Sequence, residues 1–481
     1  MKITLLTPPP LDGRKVADRV AGCAYGLYPI PNIFELTMAS VLENGGHDVR
    51  YVNFPVDGVE NEEAFSGFLD TDDSDLYAFY TVNLTRETDR TAARMIHARR
   101  AAHVVFYGPS PSYNPDEFII DSSCHVVRGE PELSFAELAS GLEKGTPAVA
   151  PAGVTMILNG EIVHGAERQL IEDLDSLPFP ARKLIKRDRY NNPKLGLKPF
   201  TAVLGSRNCP FQCVYCVPCS LSFARELEHR RHHEGKKPPV RKRSPENVGE
   251  EFEMLAREGY RSAVFLDDQF IWDEEHTVEM CRRIAPTGII WGCATRADFV
   301  TDTIVAEMKK AGCRFMDIGA ESFDQRILDD VNKNLKVDTI RNAIGIIRKN
   351  GIDVKLNILV GCSALETKET IRANKRMIAK LKVDQVMYNI ANPFPGTKLY
   401  EIAKRDGWFV EGDYRPSDVQ KEAIIRLPNL EPDELVNEVR RANFAFFFKP
   451  GFVLKRVARF RSLSDFIDAF RALRKKLSRK V

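Results

Sequence analysis

Across residues 1–145 short apolar runs alternate with amphipathic stretches, and this alternation constrains the fold more than any other feature of the chain. KITLLTPP, DVRYVNF, LYAFYTV, HVVFYG and HVVRGE have the length and the β-branched and aromatic content of strands. PNIFELTMASVLENGG, TRETDRTAARMIHARRA and PELSFAELASGLEKG carry the period of amphipathic helices. Strand and helix in strict succession imply a parallel sheet, because parallel strands need crossovers and cannot be joined by tight hairpins. The expectation for 1–145 is a doubly wound, Rossmann-like α/β domain. Such sheets take ligands at the carboxyl ends of their strands, which here means the loops Thr7 to Pro10, Thr81 to Leu84, Tyr107 to Ser112 and Arg128 to Glu130.

Residues 146–195 are rich in proline and lack a sustained period, with LPFPARKL at 177–184, and read as a linker. A second alternation runs over 196–400. FTAVLGSRNC leads a strand into a cysteine loop, and SPENVGEEFEMLAREGY reads as a helix with Ser244 as N-cap and Pro245 in its first turn. SAVFLDDQF, IIWGCATRA, FMDIGAES, VKLNILVGC and VDQVMYNIANPFPG supply further strands with helices between them. Six β/α units in a row predict a partial (β/α)6 TIM-type barrel, whose active site lies at the carboxyl ends of its strands. The cysteines, Asp267, Asp268, Arg296, Glu321 and the loop 392–397 all fall at such ends. Residues 401–481 read as a C-terminal helical region closing in a basic amphipathic tail.

A length of 481 residues exceeds one ordinary hydrophobic core, so two or three domains are expected. The 69 basic and 67 acidic residues leave a net charge of +2, which argues against a chain dominated by polyanion binding, and no nucleic-acid partner is expected. No apolar run reaches the roughly 20 residues of a membrane-spanning helix, and MKITLLTPPPLDG reads as a buried first strand instead of a signal peptide. The expected compartment is the cytoplasm, where thiols stay reduced. Six of the ten cysteines, Cys23, Cys124, Cys281, Cys293, Cys313 and Cys362, are scattered and read as inert buried thiols.

The other four are bunched in RNCPFQCVYCVPC, at Cys209, Cys213, Cys216 and Cys219. Zinc sites usually set two ligand pairs well apart, and a second pair is missing here. A thioredoxin-like C-x-x-C would leave Cys209 without a purpose. The remaining reading is C-x-x-x-C-x-x-C, in which Cys209, Cys213 and Cys216 ligate three irons of a [4Fe–4S] cluster, since soft thiolates are the usual ligands of such clusters. Three ligands leave one iron open for chemistry, and Cys219 falls outside the set.

This spacing, with Tyr215 just before the third cysteine, resembles the radical S-adenosylmethionine (SAM) superfamily. FLDDQF, ATRAD, GAES and NPFPGTKLY resemble motifs of the branch that carries an N-terminal cobalamin (B12)-binding domain. The resemblance implies that SAM chelates the open iron and is cleaved to a 5′-deoxyadenosyl radical, with no catalytic side chain needed beyond cluster and SAM. By position it implies SAM contacts from Tyr215, Asp267, Asp268, Arg296 and Glu321. GCSALET (361–367) departs from the shorter Gly-Pro-Gly-Glu-Thr form. PPP (8–10), PIPNIFELTMASVLENGGHDV, FYGPSPSYNPDEF and RGEPELSFAEL resemble the B12-binding domain, which implies cobalamin contacts from Thr81, Asn83, Tyr107, Gly108, Ser110, Gly129 and Glu130. The chain has no Asp-x-His-x-x-Gly motif to offer cobalt a histidine, and Tyr107 and Ser110–Pro111 replace the usual residues of that loop.

The function so implied is cobalamin-dependent C-methylation of an unactivated carbon in a small-molecule or lipid-like substrate, with an external electron donor such as ferredoxin or flavodoxin. Radical cyclisation or ring rearrangement is the second reading. A tRNA methylthiotransferase would need three N-terminal cysteines where only Cys23 and Cys124 occur, and a non-catalytic binding module would not need the intact cysteine loop. His229, His232 and His233 stand among eight Lys/Arg and read as a solvated basic loop suited to steering an anionic substrate. The tail carries eleven Lys/Arg with Phe466, Phe470, Leu473 and Leu477 on one face, a pattern that suits either a neighbouring domain or peripheral contact with an anionic membrane.

Overall fold

The stretch KITLLT forms β1 (Lys2–Thr7), whose Ile3, Leu5 and Leu6 are fully buried. The computed structural model describes residues 1–11, 17–22, 28–59, 61–145, 147–415 and 417–448; Cys23 and the basic tail lie outside the described residues. The chain divides into two units, the first comprising Met1–Tyr190, Thr201–Pro210 and Val217–Arg243, the second Asn191–Phe200, Phe211–Cys216 and Ser244–Val481.

In unit 1 the sheet continues with β2 (Asp48–Asn53), β3 (Leu76–Tyr80), β4 (His103–Tyr107) and β5 (Cys124–Val127), and then β6 (Val154–Leu158) and β7 (Glu161–His164). The strand order is β2-β1-β3-β4-β5-β6-β7. The first five strands pair in parallel, and their order reverses between β1 and β3, the position at whose carboxyl edge open parallel sheets generally take ligands. All five residues of β3 are buried, as both-face coverage by crossover helices requires. One face packs Phe54, Phe65, Phe79, Phe106 and Phe118 into a single core. Each large apolar side chain buried in this way contributes roughly 1.5–3 kcal/mol. Strands β6 and β7 join antiparallel within the stretch read from the sequence as a linker. Their turn is Asn159–Gly160, both at positive φ (51° and 87°), the Asn-Gly signature of a two-residue hairpin.

The next strand, β8 (Phe200–Val203), straddles the division between the units. Unit 1 also holds β9 (Ser206–Arg207), antiparallel to β10 (Arg241–Lys242), with Arg207 opposite Arg241. The second sheet adds β11 (Ser262–Phe265), β12 (Ile290–Thr295), β13 (Cys313–Glu321), β14 (Asp353–Val360) and β15 (Gln385–Ile390), in the order β15-β14-β13-β12-β11-β8. Strands β11 to β15 pair in parallel, each with its successor.

Burial alternates strictly along β14 and β15. Val354, Leu356, Ile358 and Val360 are buried, whereas Lys355, Asn357 and Leu359 on the opposite face are only half-buried. This period of two belongs to a wall with one helix-covered face and one more open face. The exposed edge of β15 is sealed by helix Pro432–Phe447. There Asn443 accepts from the Tyr388 N–H at 3.1 Å and donates to its carbonyl at 2.9 Å. The expected fold class, a Rossmann-like sheet followed by a partial barrel, is borne out. Among the described residues no helix is long and apolar enough to cross a membrane.

Candidate functional site

In unit 2 the carboxyl end of β13 is shaped by a bulge between Gly319 and Glu321. Glu321 takes φ +61°, a left-handed conformation uncommon outside glycine, and the bulge re-aims its side chain. A Cβ on Gly319 would stand 2.8 Å from Glu321 Oε1 and 3.1 Å from Lys333 Nζ, so any larger residue would have to push these two side-chain ends aside. Lys333 Nζ lies 3.0 Å from Glu321 Oε1 in a site where the lysine is 5% exposed. Burial works against its ammonium, but the Glu321 carboxylate and the nearby Cys213 thiol outweigh it and hold the lysine charged.

The loop residues 212–214 are fixed by backbone bonds. Val214 donates to the Val331 carbonyl (3.1 Å), Leu399 donates to Val214 (2.8 Å), and Asn332 Nδ2 donates to the Gln212 carbonyl (2.9 Å). Cys216 N–H bonds back to the Cys213 carbonyl at 3.2 Å, closing the turn between those two cysteines. The Tyr215 hydroxyl is shut off from solvent and has no hydrogen-bond partner. Burial, together with the neighbouring Glu321, Cys213, Cys216 and Cys362, pushes its phenol far above its ordinary value.

Arg296 follows β12. Its backbone N–H is held by Gln269 Oε1 (2.7 Å), and its guanidinium stacks 3.7 Å from the Phe211 ring. Nε and Nη2 are engaged by Asp298 (3.1 and 2.9 Å), and Nη2 also reaches the carbonyls of Lys333 and Asn334. Asp267, 6% exposed, and Asp268, half-buried, occupy the loop after β11. Of the residues predicted to meet SAM, Tyr215 and Glu321 therefore stand beside Cys213 and Cys216, and Arg296 stacks on the same loop.

Sequence reasoning missed Lys333, Gln269 and Glu366. Lys333 sits between Asn332 and Asn334, both at positive φ, and the N-K-N triplet is its only local signal. Glu366 is 2% exposed; its Oε1 accepts the N–H groups of Gly361 and Cys362 (2.9 Å each) and lies 3.4 Å from the Cys362 sulfur. Burial nevertheless raises its carboxyl to about 7. The extra residue of GCSALET thus builds a loop closed on its own glutamate. Deeper on the wall, Asp317 binds both Lys194 (2.7 and 2.8 Å) and Lys355 (2.9 Å), one carboxylate shared by two ammonium groups. Burial and the second lysine lower Lys194 to about 8 despite Asp317.

In unit 1 the loops after β3 and β4 touch through their backbones. Thr81 N–H donates to the Tyr107 carbonyl (2.7 Å), Ser110 N–H donates to the Thr81 carbonyl (3.3 Å), and Thr81 Oγ1 donates to Asp89 (2.8 Å). Gly108 takes φ +109°, and a Cβ there would meet the Thr81 carbonyl oxygen at 2.8 Å. Asn83 opens the short turn Asn83–Thr85, and Gly129 N–H is held by Ser112 Oγ at 2.9 Å. The Tyr107 hydroxyl, Glu35 Oε1 and Thr7 Oγ1 are buried polar atoms without a partner at this end of the unit. Burial, opposed by Arg19, raises Glu35 to about 7.

Glu130 does not join this group. Its carboxylate is bound by Arg207 and by Arg241 (3.0 Å to each oxygen), and Arg207 also binds Glu132 at 2.7 Å. Arg19, which sequence reasoning also missed, forms a two-pronged bond to Asp89 (2.7 and 2.8 Å). Cys219 is the N-cap of helix Ser220–His232, with its sulfur 3.4 Å from Ser222 Oγ. None of the described cysteines forms a disulfide.

Residues 203–373 match the radical SAM superfamily. The chain carries a radical SAM domain. The resemblance drawn from the cysteine loop is thereby borne out, and with it the expectation of a radical SAM enzyme. Over 479 residues the chain is 27% identical to an uncharacterised methyltransferase, PH0819, of Pyrococcus horikoshii, covering 95% of this chain and 97% of that one. It is 26% identical to the hopanoid C-3 methylase of Methylococcus capsulatus, covering 89% and 77% respectively. Its fold matches the solved radical SAM methyltransferase TsrM of Kitasatospora setae, which holds cobalamin and a [4Fe–4S] cluster. That match has TM-score 0.68 and 16% identity, over 94% of this chain and 89% of that one.

Proposed function

We propose that the chain is a cobalamin-dependent radical SAM methyltransferase acting on an unactivated carbon of a small hydrophobic molecule. The observation that carries this reading is the C-x-x-x-C-x-x-C loop of Cys209, Cys213 and Cys216 inside the matched region 203–373. Half-buried soft thiols free of disulfides suit an iron–sulfur cluster, with Cys219 outside the ligand set. When bound, the cluster supplies the electron that releases a 5′-deoxyadenosyl radical from SAM, and cobalamin supplies the carried methyl group.

This chain's residues do the rest by binding and orienting. Lys333 pins the Glu321 carboxylate in place at 3.0 Å, and that carboxylate accepts hydrogen bonds from the amino or ribose groups of SAM. Arg296 faces the SAM carboxylate through Nη1, the arm that Asp298 and the carbonyls leave unused. Tyr215, Asp267 and Asp268 complete the SAM set, and the unspent Tyr215 hydroxyl supports a bound polar partner. In the first unit Thr81, Asn83, Tyr107, Gly108, Ser110 and Gly129 line the cobalamin site. The orphaned Tyr107 hydroxyl and Thr7 Oγ1, and the loop approach that only Gly108 allows, fit a large polar cofactor. Glu130 contributes a strut and not a contact, because its carboxylate is spent on Arg207 and Arg241.

On this reading 1–145 together with the β6–β7 hairpin is the cobalamin domain, the stretch from the hairpin to 195 the linker, 196–400 the radical core, and helix Pro432–Phe447 an addition to it. The hopanoid methylase likeness supports a hydrophobic substrate. An external low-potential donor such as ferredoxin or flavodoxin supplies electrons, and membrane contact runs through the basic tail.

The test is anaerobic reconstitution with product analysis. About four irons per chain, release of 5′-deoxyadenosine and co-purified corrinoid are expected. Cys213→Ala abolishes iron uptake and SAM cleavage, whereas Cys219→Ser retains both. No iron uptake and no SAM cleavage by the native chain would sink the reading. Cleavage without any corrinoid would replace methylation by a cobalamin-free radical reaction.

A further inference from the structure

On the more open face of the second sheet β14 carries Lys355, Asn357 and Leu359, and the matching residues of β13 are Asp317 and Gly319. Asp317 stands opposite Lys355 in the register, and its Oδ2 accepts from Lys355 Nζ at 2.9 Å. The same oxygen accepts from Lys194 Nζ at 2.7 Å, and Oδ1 accepts from that nitrogen at 2.8 Å. Two ammonium groups therefore stand side by side on one carboxylate oxygen. The Phe315 ring, 4.1 Å from Lys194 Nζ, fixes that lysine further.

We propose that Lys194 and Lys355, held by Asp317, form a subsite for the carboxylate of an amphipathic substrate, a proposal that rests on the methyltransferase reading for what happens to the bound molecule. The cluster sets two positive charges against one negative, and among the described residues neither ammonium meets a second carboxylate. Charges taken out of water are normally paired, so a surplus cation among side chains only 13–16% exposed marks a place for one anion. Lys355 spends one of its three N–H donors on Asp317 and keeps two to bind that anion. Burial and Lys355 lower Lys194 to about 8, still above neutral pH, so the surplus is present at pH 7. A carboxylate brings the one charge that is missing, whereas a phosphate monoester, with a charge of about −1.5 to −2, overshoots it.

The depth of the lysine pair suits an anchor. Glu321 has Ile358 as its register partner, three positions beyond Lys355, which is roughly 10 Å along the strand. Between these levels the open face carries Gly319, then Asn357 opposite it and Met387 opposite Asn357, while Ala294 faces Asp317 across the register. Small and apolar side chains with a single amide admit an apolar body and offer it no further charge. A molecule held by its carboxylate at the lysines thus presents a carbon at about that distance to the end of β13, where Glu321 stands beside the cysteine loop.

The test uses the full chain with its cluster reconstituted and three probes of equal chain length, decanoate, decyl phosphate and decanol. Calorimetry should show decanoate binding about tenfold or more tighter than decanol, and tighter than decyl phosphate. Lys355→Met leaves Lys194 and Asp317 as a balanced pair, so the variant should keep its iron and its ligand-free melting temperature but bind decanoate no better than decanol. Asp317→Asn removes the counter-charge, and decanoate should then raise the melting temperature by more than it does in the native chain. Equal affinity for decanoate and decanol, tighter binding of decyl phosphate, or undiminished decanoate binding by Lys355→Met would overturn the subsite. None of these readings needs turnover, so a chain that binds decanoate in this way but forms no methylated product keeps the subsite and sinks the methyltransferase reading alone.

Discussion

Lys333 Nζ stands 3.0 Å from Glu321 Oε1 across the space that Gly319 leaves by lacking a side chain. The pair sits beside Cys213 and within the electrostatic reach of the Tyr215 hydroxyl, so it couples the end of β13 to the cysteine loop. Lys333→Met leaves a buried carboxylate without its cation, which costs on the order of 3–5 kcal/mol when a buried pair is broken on one side. Denaturant unfolding measures that loss. Gly319→Ala keeps both charges but displaces the carboxylate, and should weaken SAM binding about tenfold or more, equivalent to about 1.4 kcal/mol. Calorimetry on the reconstituted protein reads it, and an unchanged affinity would remove Glu321 from the SAM contacts.

Glu130 bridges Arg207, two residues before Cys209, and Arg241 on the paired strand β10. Burial opposes its ionisation, and the two guanidinium groups overcome it and hold the carboxyl below its ordinary value. Such a group adds stability that is complete above the unfolded value of about 4.3 and is lost as pH falls through the lower folded value. Glu130→Gln should therefore destabilise the chain at neutral pH and flatten its acid-unfolding limb. A limb as steep as that of the native chain would show that the acid sensitivity lies elsewhere.

The alternating strands and helices were legible because buried parallel strands advertise themselves as apolar runs, as LYAFY and HVVFY do. The hairpin β6–β7 was not, since Glu161 and Ile162 are exposed and half the pattern is absent; the Asn159–Gly160 turn was the available clue. In the site, the cysteine spacing was legible because all four thiols lie in one short loop. Lys333 and Arg19 stayed hidden because each pairs with a carboxylate outside its own segment, Glu321 twelve residues before and Asp89 seventy residues after, and no local period records such a pairing. Glu130 was placed at the right strand end, but its partners Arg207 and Arg241 are more than seventy residues away, so its engagement could not be read locally.

Glu366 gives a pH dependence of the opposite sign to that of Glu130. Burial raises its folded value to about 7 against an unfolded value near 4.3, so between those limits the folded chain keeps a proton that the unfolded chain releases. Stability should fall as pH rises from about 4.5 to about 7, by up to roughly 3 kcal/mol from this group, a slope of about 1.4 kcal/mol per pH unit. Glu35, also raised to about 7, acts in the same direction. Glu366→Gln keeps an acceptor for the Gly361 and Cys362 N–H groups but cannot titrate. Its stability between pH 5 and 7 should vary by about half as much as that of the native chain, and an undiminished slope would rule out Glu366 as the source.

Gly108 joins two demands at one position, a φ of +109° and a Cβ that would stand 2.8 Å from the Thr81 carbonyl oxygen. Gly58 has a similarly positive φ of +78° but open space around it. Gly58→Ala therefore carries only the backbone strain, about 1–2 kcal/mol. Gly108→Ala adds a clash with main chain that cannot rotate away, so the loops after β3 and β4 must separate and the Ser110-to-Thr81 bond must stretch. If those loops hold cobalamin, Gly108→Ala should lose most of its corrinoid by visible absorption and keep its iron, while Gly58→Ala keeps both. Equal corrinoid in the two variants would move the cofactor away from the Thr81–Gly108 contact.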